Sequence, residues 1–167
     1  MSATYAGYGM GLCQNTTHFS VCNAEEKKWS SNVTLAISLT KDALMVETYP
    51  FTTAIQWSFP HSYKEHPVDY ELGLDASSNF PDPISYWARV HDTLRVQALR
   101  GWPPRNHIDT IILYGEAASS TKFQSVVKEV VESLQYDVPI FSAESEFVAA
   151  KGAAELAYRV QVMRAQL

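Results

Sequence analysis

Ile108-Asp109-Thr110-Ile111-Ile112-Leu113-Tyr114-Gly115 is a short apolar run that ends on a glycine, and Glu116-Ala117-Ala118-Ser119-Ser120 follows it. A run in which apolar residues follow one another, as Ile111-Ile112-Leu113 do, suits a strand buried on both faces, in a sheet covered by helices. Beyond it Phe123, Val126, Val127, Val130, Val131 and Leu134 recur at intervals of three and four, the spacing of an amphipathic helix with one buried side. Ser119-Ser120 supplies a side-chain oxygen to cap that helix. Strand, glycine turn and helix together are the repeating unit of an α/β layer.

The stretches on either side extend this layer. Upstream, Ser85–Leu99 reads as a helix burying Trp87, Val90, Leu94 and Ala98, terminated by Gly101-Trp102-Pro103-Pro104. From Asn32 the period is two: Val33, Leu35, Ile37 and Leu39 alternate with Thr34, Ala36, Ser38 and Thr40. Lys41-Asp42 is a tight turn. Leu44, Val46 and Thr48 then point one way and Met45 and Glu47 the other, which makes a hairpin ended by Pro50. Thr52–Phe59 predicts a third strand, Val68–Leu74 a further short one, and Asp75–Pro83 a loop. Downstream, Val138-Pro139-Ile140-Phe141 is an edge strand and Glu144–Arg164 an alanine-rich helix, with Glu144 and Glu146 favouring its N-terminus. Residues 1–31 read as a connecting helix followed by a cysteine loop. The expectation is one domain: three antiparallel strands, then helix, strand, helix, strand, helix, as in a ribonuclease-H-like mixed sheet with helices packed on it.

Composition narrows the function. The chain has 167 residues, 46% hydrophobic and 19% charged, with a formal net charge of −5. It can bury a core of its own. No lysine- or arginine-rich stripe offers a footprint for phosphate backbones, so no nucleic acid partner is expected. No apolar run reaches the roughly 18 residues that a membrane span needs. The N-terminus carries no basic flank leading into an apolar core, which predicts a cytoplasmic chain without a membrane partner. Cys13 and Cys22 are either reduced thiols or the ends of a small disulfide loop, and with His18 they fall short of a zinc site. Ala6-Gly7-Tyr8-Gly9-Met10-Gly11 fits neither a dinucleotide fingerprint nor a P-loop. His61 and His66 share a polar loop with Tyr63, Glu65 and Asp69, which makes either a metal or acid–base site or ordinary solvated side chains. His91 and Asp92 are helix neighbours pointing in different directions, not an obvious pair.

Three segments, in the right order, resemble the second half of a heat-shock chaperone ATPase domain, the C-terminal lobe of the actin-like ATPase fold. Phe147-Val148-Ala149-Ala150-Lys151-Gly152-Ala153-Ala154 resembles that family's second connecting helix, where small side chains let two helices approach closely. Ile108–Ser119 looks like its adenosine motif, with Gly115 at the first glycine of a pair and Glu116 at the second. Ala3–Gly9 is similar to the end of the first connecting helix. The resemblance is closer still to fungal chaperone-like proteins. It covers nearly the whole chain and implies that the first half, with its own phosphate loop, is absent.

The same resemblance locates a loss. The family's phosphate turn should lie in the Val33–Val46 hairpin, as an aspartate followed by glycines and a threonine. Here Ile37-Ser38-Leu39-Thr40-Lys41-Asp42-Ala43 has no glycine, and Asp42 falls inside the turn. The family's adenine-clamping subdomain has no room between Leu99 and His107. Glu116 would repel a nucleotide's phosphates unless a cation intervened.

The resemblance therefore implies a non-catalytic interaction module with no resident cofactor and no metal site. A protein partner or a second copy would meet the faces left vacant by the missing half, at Tyr5, Tyr8, Met10, Val148, Ala150 and Ala154. The alternative is an ATP-binding half domain, using ATP and magnesium, completed by another chain or by an N-terminal half. Gly115, Glu116 and Lys122 would then be its nearest nucleotide contacts.

Overall fold

The computed structural model describes residues 33–50, 68–99, 108–142 and 147–164. Contacts divide the chain into two units. The described part of one spans 33–49 and 68–142; that of the other centres on the C-terminal helix. The expected strand Thr52–Phe59, the segments around the cysteines, His61 and His66, and residues 143–146 lie outside the described residues.

In the first unit β1 (Val33–Leu39), β2 (Leu44–Pro50), β3 (Val68–Asp69), β4 (Thr110–Tyr114) and β5 (Ile140–Phe141) form one mixed sheet in the order β3-β2-β1-β4-β5. Helix α1 (Pro83–Leu99) connects β3 to β4, and α2 (Thr121–Ser133) connects β4 to β5. β1 and β4 are parallel, with Thr34 opposite Thr110 and Ser38 opposite Tyr114. β5 is parallel to β4. The four residues between β1 and β2 are too few for a crossover, so β2 runs back antiparallel. β3 is antiparallel to β2, with Leu44 opposite Asp69. β2 alone is thus reversed.

The core lies between one face of this sheet and the two helices. Leu35, Ile37 and Leu39 of β1, Leu44 and Val46 of β2, and Ile111 and Leu113 of β4 meet Tyr86, Val90, Leu94 and Ala98 of α1. Phe123, Val126, Val127, Val130 and Val131 of α2 complete the cluster, matching the helical spacing read from sequence. Each of the larger side chains contributes about 1.5–3 kcal/mol on leaving water. On the opposite face the centre of β1 and β4 is buried as well: Thr34, Ala36, Ser38 and Ile112 are all at most 3% exposed. The period-two pattern of β1 is therefore one of size, not of polarity, because its second set of residues is small enough to bury.

Several boundaries differ from expectation. The strand predicted over Val68–Leu74 lasts two residues, because the Asp69 carboxylate accepts a hydrogen bond from the Glu71 N–H at 3.0 Å and caps a 3₁₀ turn over Tyr70–Leu72. The expected loop after it contains a second 3₁₀ turn, Asp75–Asn79. α1 begins at Pro83 instead of Ser85. Asp82 caps it, accepting from the Ser85 N–H at 2.8 Å and the Ser85 hydroxyl at 3.0 Å, and Pro83 takes the first helical position, where its missing N–H costs nothing. Those hydrogen bonds, the one from the backbone foremost, hold the Asp82 carboxyl below the usual aspartate range.

Tyr86 replaces Trp87 in the core. Its hydroxyl donates to the carbonyls of Leu72 at 3.1 Å and Gly73 at 3.3 Å, so the ring can be buried with its polar end satisfied. Phe80 and Trp87 pack edge-on against it, at 5.3 and 5.0 Å. Burial pushes the phenol up to about 12.

Of the two serines expected to cap α2, Ser120 does so, accepting from the Phe123 N–H at 3.4 Å. Gln135 ends the helix in the left-handed region (φ 57°), and the Tyr136 N–H closes back on the Val131 carbonyl at 3.1 Å.

The second unit's described element is α3 (Val148–Arg164), which starts four residues later than Glu144. Val148 and Gly152, one turn apart, are buried.

Candidate functional site: a closed crevice at the ends of β1 and β4

In open α/β sheets, ligands bind beyond the carboxyl ends of the strands, where neighbouring strands send their connections to opposite sides. Here that point lies between β1 and β4. The chain leaves β1 toward β2 and leaves β4 in the other direction, through α2 to β5. Two loops therefore face each other: Thr40–Ala43 after β1 and Gly115–Ser120 after β4.

The crevice between them is bridged by the protein itself. Gly115 has a φ of 86°, a region that side chains disfavour, and a Cβ there would lie 2.6 Å from the Ser38 Oγ. Only glycine lets the second loop pass so close to the end of β1. The Ala117 N–H then donates to the Leu39 carbonyl at 3.0 Å. Next to it, the Lys41 N–H donates to the Glu116 Oε2 at 2.8 Å, a charge-assisted hydrogen bond across the gap.

On its far side the same turn is held by main chain. The Leu74 N–H donates to the Thr40 carbonyl at 2.9 Å, and the Asp75 N–H to the Lys41 carbonyl at 3.1 Å. Gly73 sits against them; a Cβ on it would fall 2.3 Å from the Lys41 carbonyl oxygen. Within the turn, the Thr40 N–H donates to the Ala43 carbonyl at 3.0 Å and the Ala43 N–H to the Thr40 Oγ1 at 3.2 Å. The amides of Thr40, Lys41 and Ala43 are therefore committed within the protein. A phosphate arriving here would first have to displace a group of this chain.

A second depression, of about 540 Å³, lies between α1 and α2. Pro83, Ile84, Trp87 and His91 line one side, and Lys122 and Glu129 the other. At its rim His91 Nδ1 lies 3.3 Å from the Asp92 carboxylate, so these neighbours do meet, contrary to expectation. Both lie toward the solvent side of the helix, and their side chains span the angle between them.

The structure brings Gly115 and Glu116 together at the crevice and puts Lys122, on the first turn of α2, in the groove. Tyr5, Tyr8 and Met10 lie outside the described residues. On α3, Val148 is 2% exposed and so is not a surface position, whereas Ala150 and Ala154 are exposed. Asp69, linked in sequence to the histidine loop, serves as a cap. Sequence reading missed Ser38 and Gly73. Ser38 stands in the Ile37–Ala43 segment without a role of its own and Gly73 in no motif, and their roles depend on what lies opposite them.

On the other face of the sheet the Tyr114 hydroxyl donates to the Glu47 Oε2 at 3.4 Å. Burial first, and the neighbouring Glu47 charge second, push that phenol well above its ordinary value, so it is a neutral donor at physiological pH. Among the described residues no group of three His, Cys, Asp or Glu could hold a metal ion. None of their helices is long and apolar enough to cross a membrane. No protein-family model matches the chain, and no curated protein matches it.

Proposed function

We propose that the chain is a non-catalytic interaction module of the cytoplasm, built on a ribonuclease-H-like, actin-like ATPase lobe and binding a protein partner or a second copy of itself. The lobe assignment is supported by the element order and by a sheet β3-β2-β1-β4-β5 in which β2 alone is reversed. One observation carries the loss of catalysis: the turn after β1 has no glycine, and its Lys41 N–H is taken by the Glu116 carboxylate. An anion-binding turn needs free amides to surround the ligand. Three amides of this turn, those of Thr40, Lys41 and Ala43, are already taken.

The interaction half of the reading is supported by α3. Phe147 is 72% and Tyr158 62% exposed, and with Ala150 and Ala154 they recur at intervals of three and four, on one stripe. Sedimentation across a concentration series, with a pull-down, tests it. The expected result is self-association or a recovered partner, lost on replacing Phe147 and Tyr158 together by glutamate. A strict monomer with no recovered partner sinks the proposal.

The retained left-handed Gly115 favours a second reading, an ATP-binding half completed by another chain. Calorimetric titration with ATP and magnesium separates the two. The first reading expects no heat of binding, and micromolar binding by this chain alone would overturn it.

A further inference from the structure

The Lys41–Glu116 contact contributes little that the fold lacks without it. Both residues are exposed, and the two loops are already joined by the Ala117 N–H on the Leu39 carbonyl. What Glu116 adds is electrostatic: it lays a carboxylate oxygen on the main-chain donor that faces the gap. Other donors stand nearby without partners among the described residues. The Lys41 ammonium forms no ion pair with a described residue. The Ser38 hydroxyl, on a residue 3% exposed and against Gly115, forms no hydrogen bond with a described residue. Donors without acceptors beside an exposed carboxylate describe a position for negative charge whose occupant is supplied by the chain.

We propose that Glu116 is a built-in stopper for the crevice: its carboxylate fills the position of an oxyanion and repels any oxyanion that approaches. The inference rests on the reading of the crevice as a closed site, and it adds that one side chain, more than the missing glycines, keeps it closed. Removing the carboxylate frees the Lys41 N–H and leaves the Lys41 ammonium and Ser38 hydroxyl as the local field. Loop positions stay fixed by Gly115 and by the Ala117–Leu39 bond. A small oxyanion can then take the exposed position on the Lys41 N–H that the Glu116 carboxylate vacates.

The test follows the Lys41 amide by NMR while inorganic pyrophosphate is added to the wild type, Glu116→Gln and Glu116→Ala. Glu132, exposed on α2, provides a control for net charge as Glu132→Ala. Before any addition, Glu116→Ala should exchange its Lys41 amide faster than the wild type, because the acceptor is gone. On titration, Glu116→Ala should bind pyrophosphate at least about tenfold more tightly than the wild type. Glu116→Gln should fall between them, because its amide oxygen still accepts from Lys41 but carries no charge. Glu132→Ala should match the wild type. Equal responses in all proteins, or an equal gain in Glu132→Ala, overturn the stopper. Those outcomes leave the interaction-module reading standing; that reading falls instead if the wild type binds ATP with magnesium.

Discussion

The crevice above β1 and β4 and the groove between α1 and α2 are two places among the described residues where this layer could receive something, and they are built in opposite ways. The crevice is lined by main chain. Two glycines without room for a methyl group, backbone bonds from both sides and one carboxylate fill it. The groove is lined by side chains, several of them exposed, such as Ile84 at 81%. Position in the fold makes the crevice the expected ligand site, but geometry makes it the less available one. The difference teaches that a position favoured by topology can be closed by the chain's own groups. It also predicts that substitutions of the crevice glycines are read out as stability, and groove substitutions are not.

The most severe way to challenge that contrast is Gly73→Ala. The new methyl would meet the Lys41 carbonyl oxygen at 2.3 Å and the Asp42 carbonyl carbon at 2.4 Å, both backbone atoms with nowhere to go. Urea unfolding should show a loss of about 3 kcal/mol. Gly115→Ala comes next. It pays left-handed strain of about 1–2 kcal/mol and presses on the Ser38 Oγ at 2.6 Å. Adding Ser38→Ala should return part of the loss, because the opposing group is a side chain; no return would mean that backbone strain alone sets it.

Tyr86 lies between the two regions, with its hydroxyl on Leu72 and Gly73 behind the crevice and its ring against Trp87 in the groove. Tyr86→Phe should cost about 1 kcal/mol, the net worth of the hydrogen bonding removed. It should also change the alkaline limb of stability. The Tyr86 pKa is raised in the folded protein to about 12 from an ordinary 10.0. Its contribution is therefore fully present below pH 10 and is lost as pH rises from there toward 12. Thermal melts of the variant should lack that part of the decline. The smallest effect belongs to the groove: Ile84→Ser, at an exposed position, should stay within about 0.5 kcal/mol of the wild type. A loss like that of Gly73→Ala would erase the distinction drawn between the two regions.

What was legible in the sequence was what local periodicity encodes. The buried face of α2, the Ser120 cap, the hairpin turn at Lys41-Asp42 and the glycine after β4 each follow from residues within a few positions of one another. The rest depends on partners far along the chain. Gly73 looks like any glycine between two leucines until the turn at 41–43 is placed against it. Tyr86 and Trp87 both fit a buried helical position, and only the carbonyls of Leu72 and Gly73 select the tyrosine. Glu116 was legible as hostile to phosphate. Its hydrogen bond to a residue 75 positions earlier was not.

The other end of the central strand pair carries a consequence for how the protein is made. At the start of β1 the Val33 N–H donates to the Asp109 carboxylate at 2.7 Å, and the Asp109 N–H returns a bond to the Val33 carbonyl at 2.9 Å, across 76 positions of chain. A ribosome adding about 5–20 residues per second takes roughly 4–15 s to cover that interval. Throughout it, a strand whose seven residues all end up buried waits for its parallel neighbour to be synthesised. The nascent chain's exposure is thus set by topology, and a holding factor would be needed most between the emergence of β1 and that of β4.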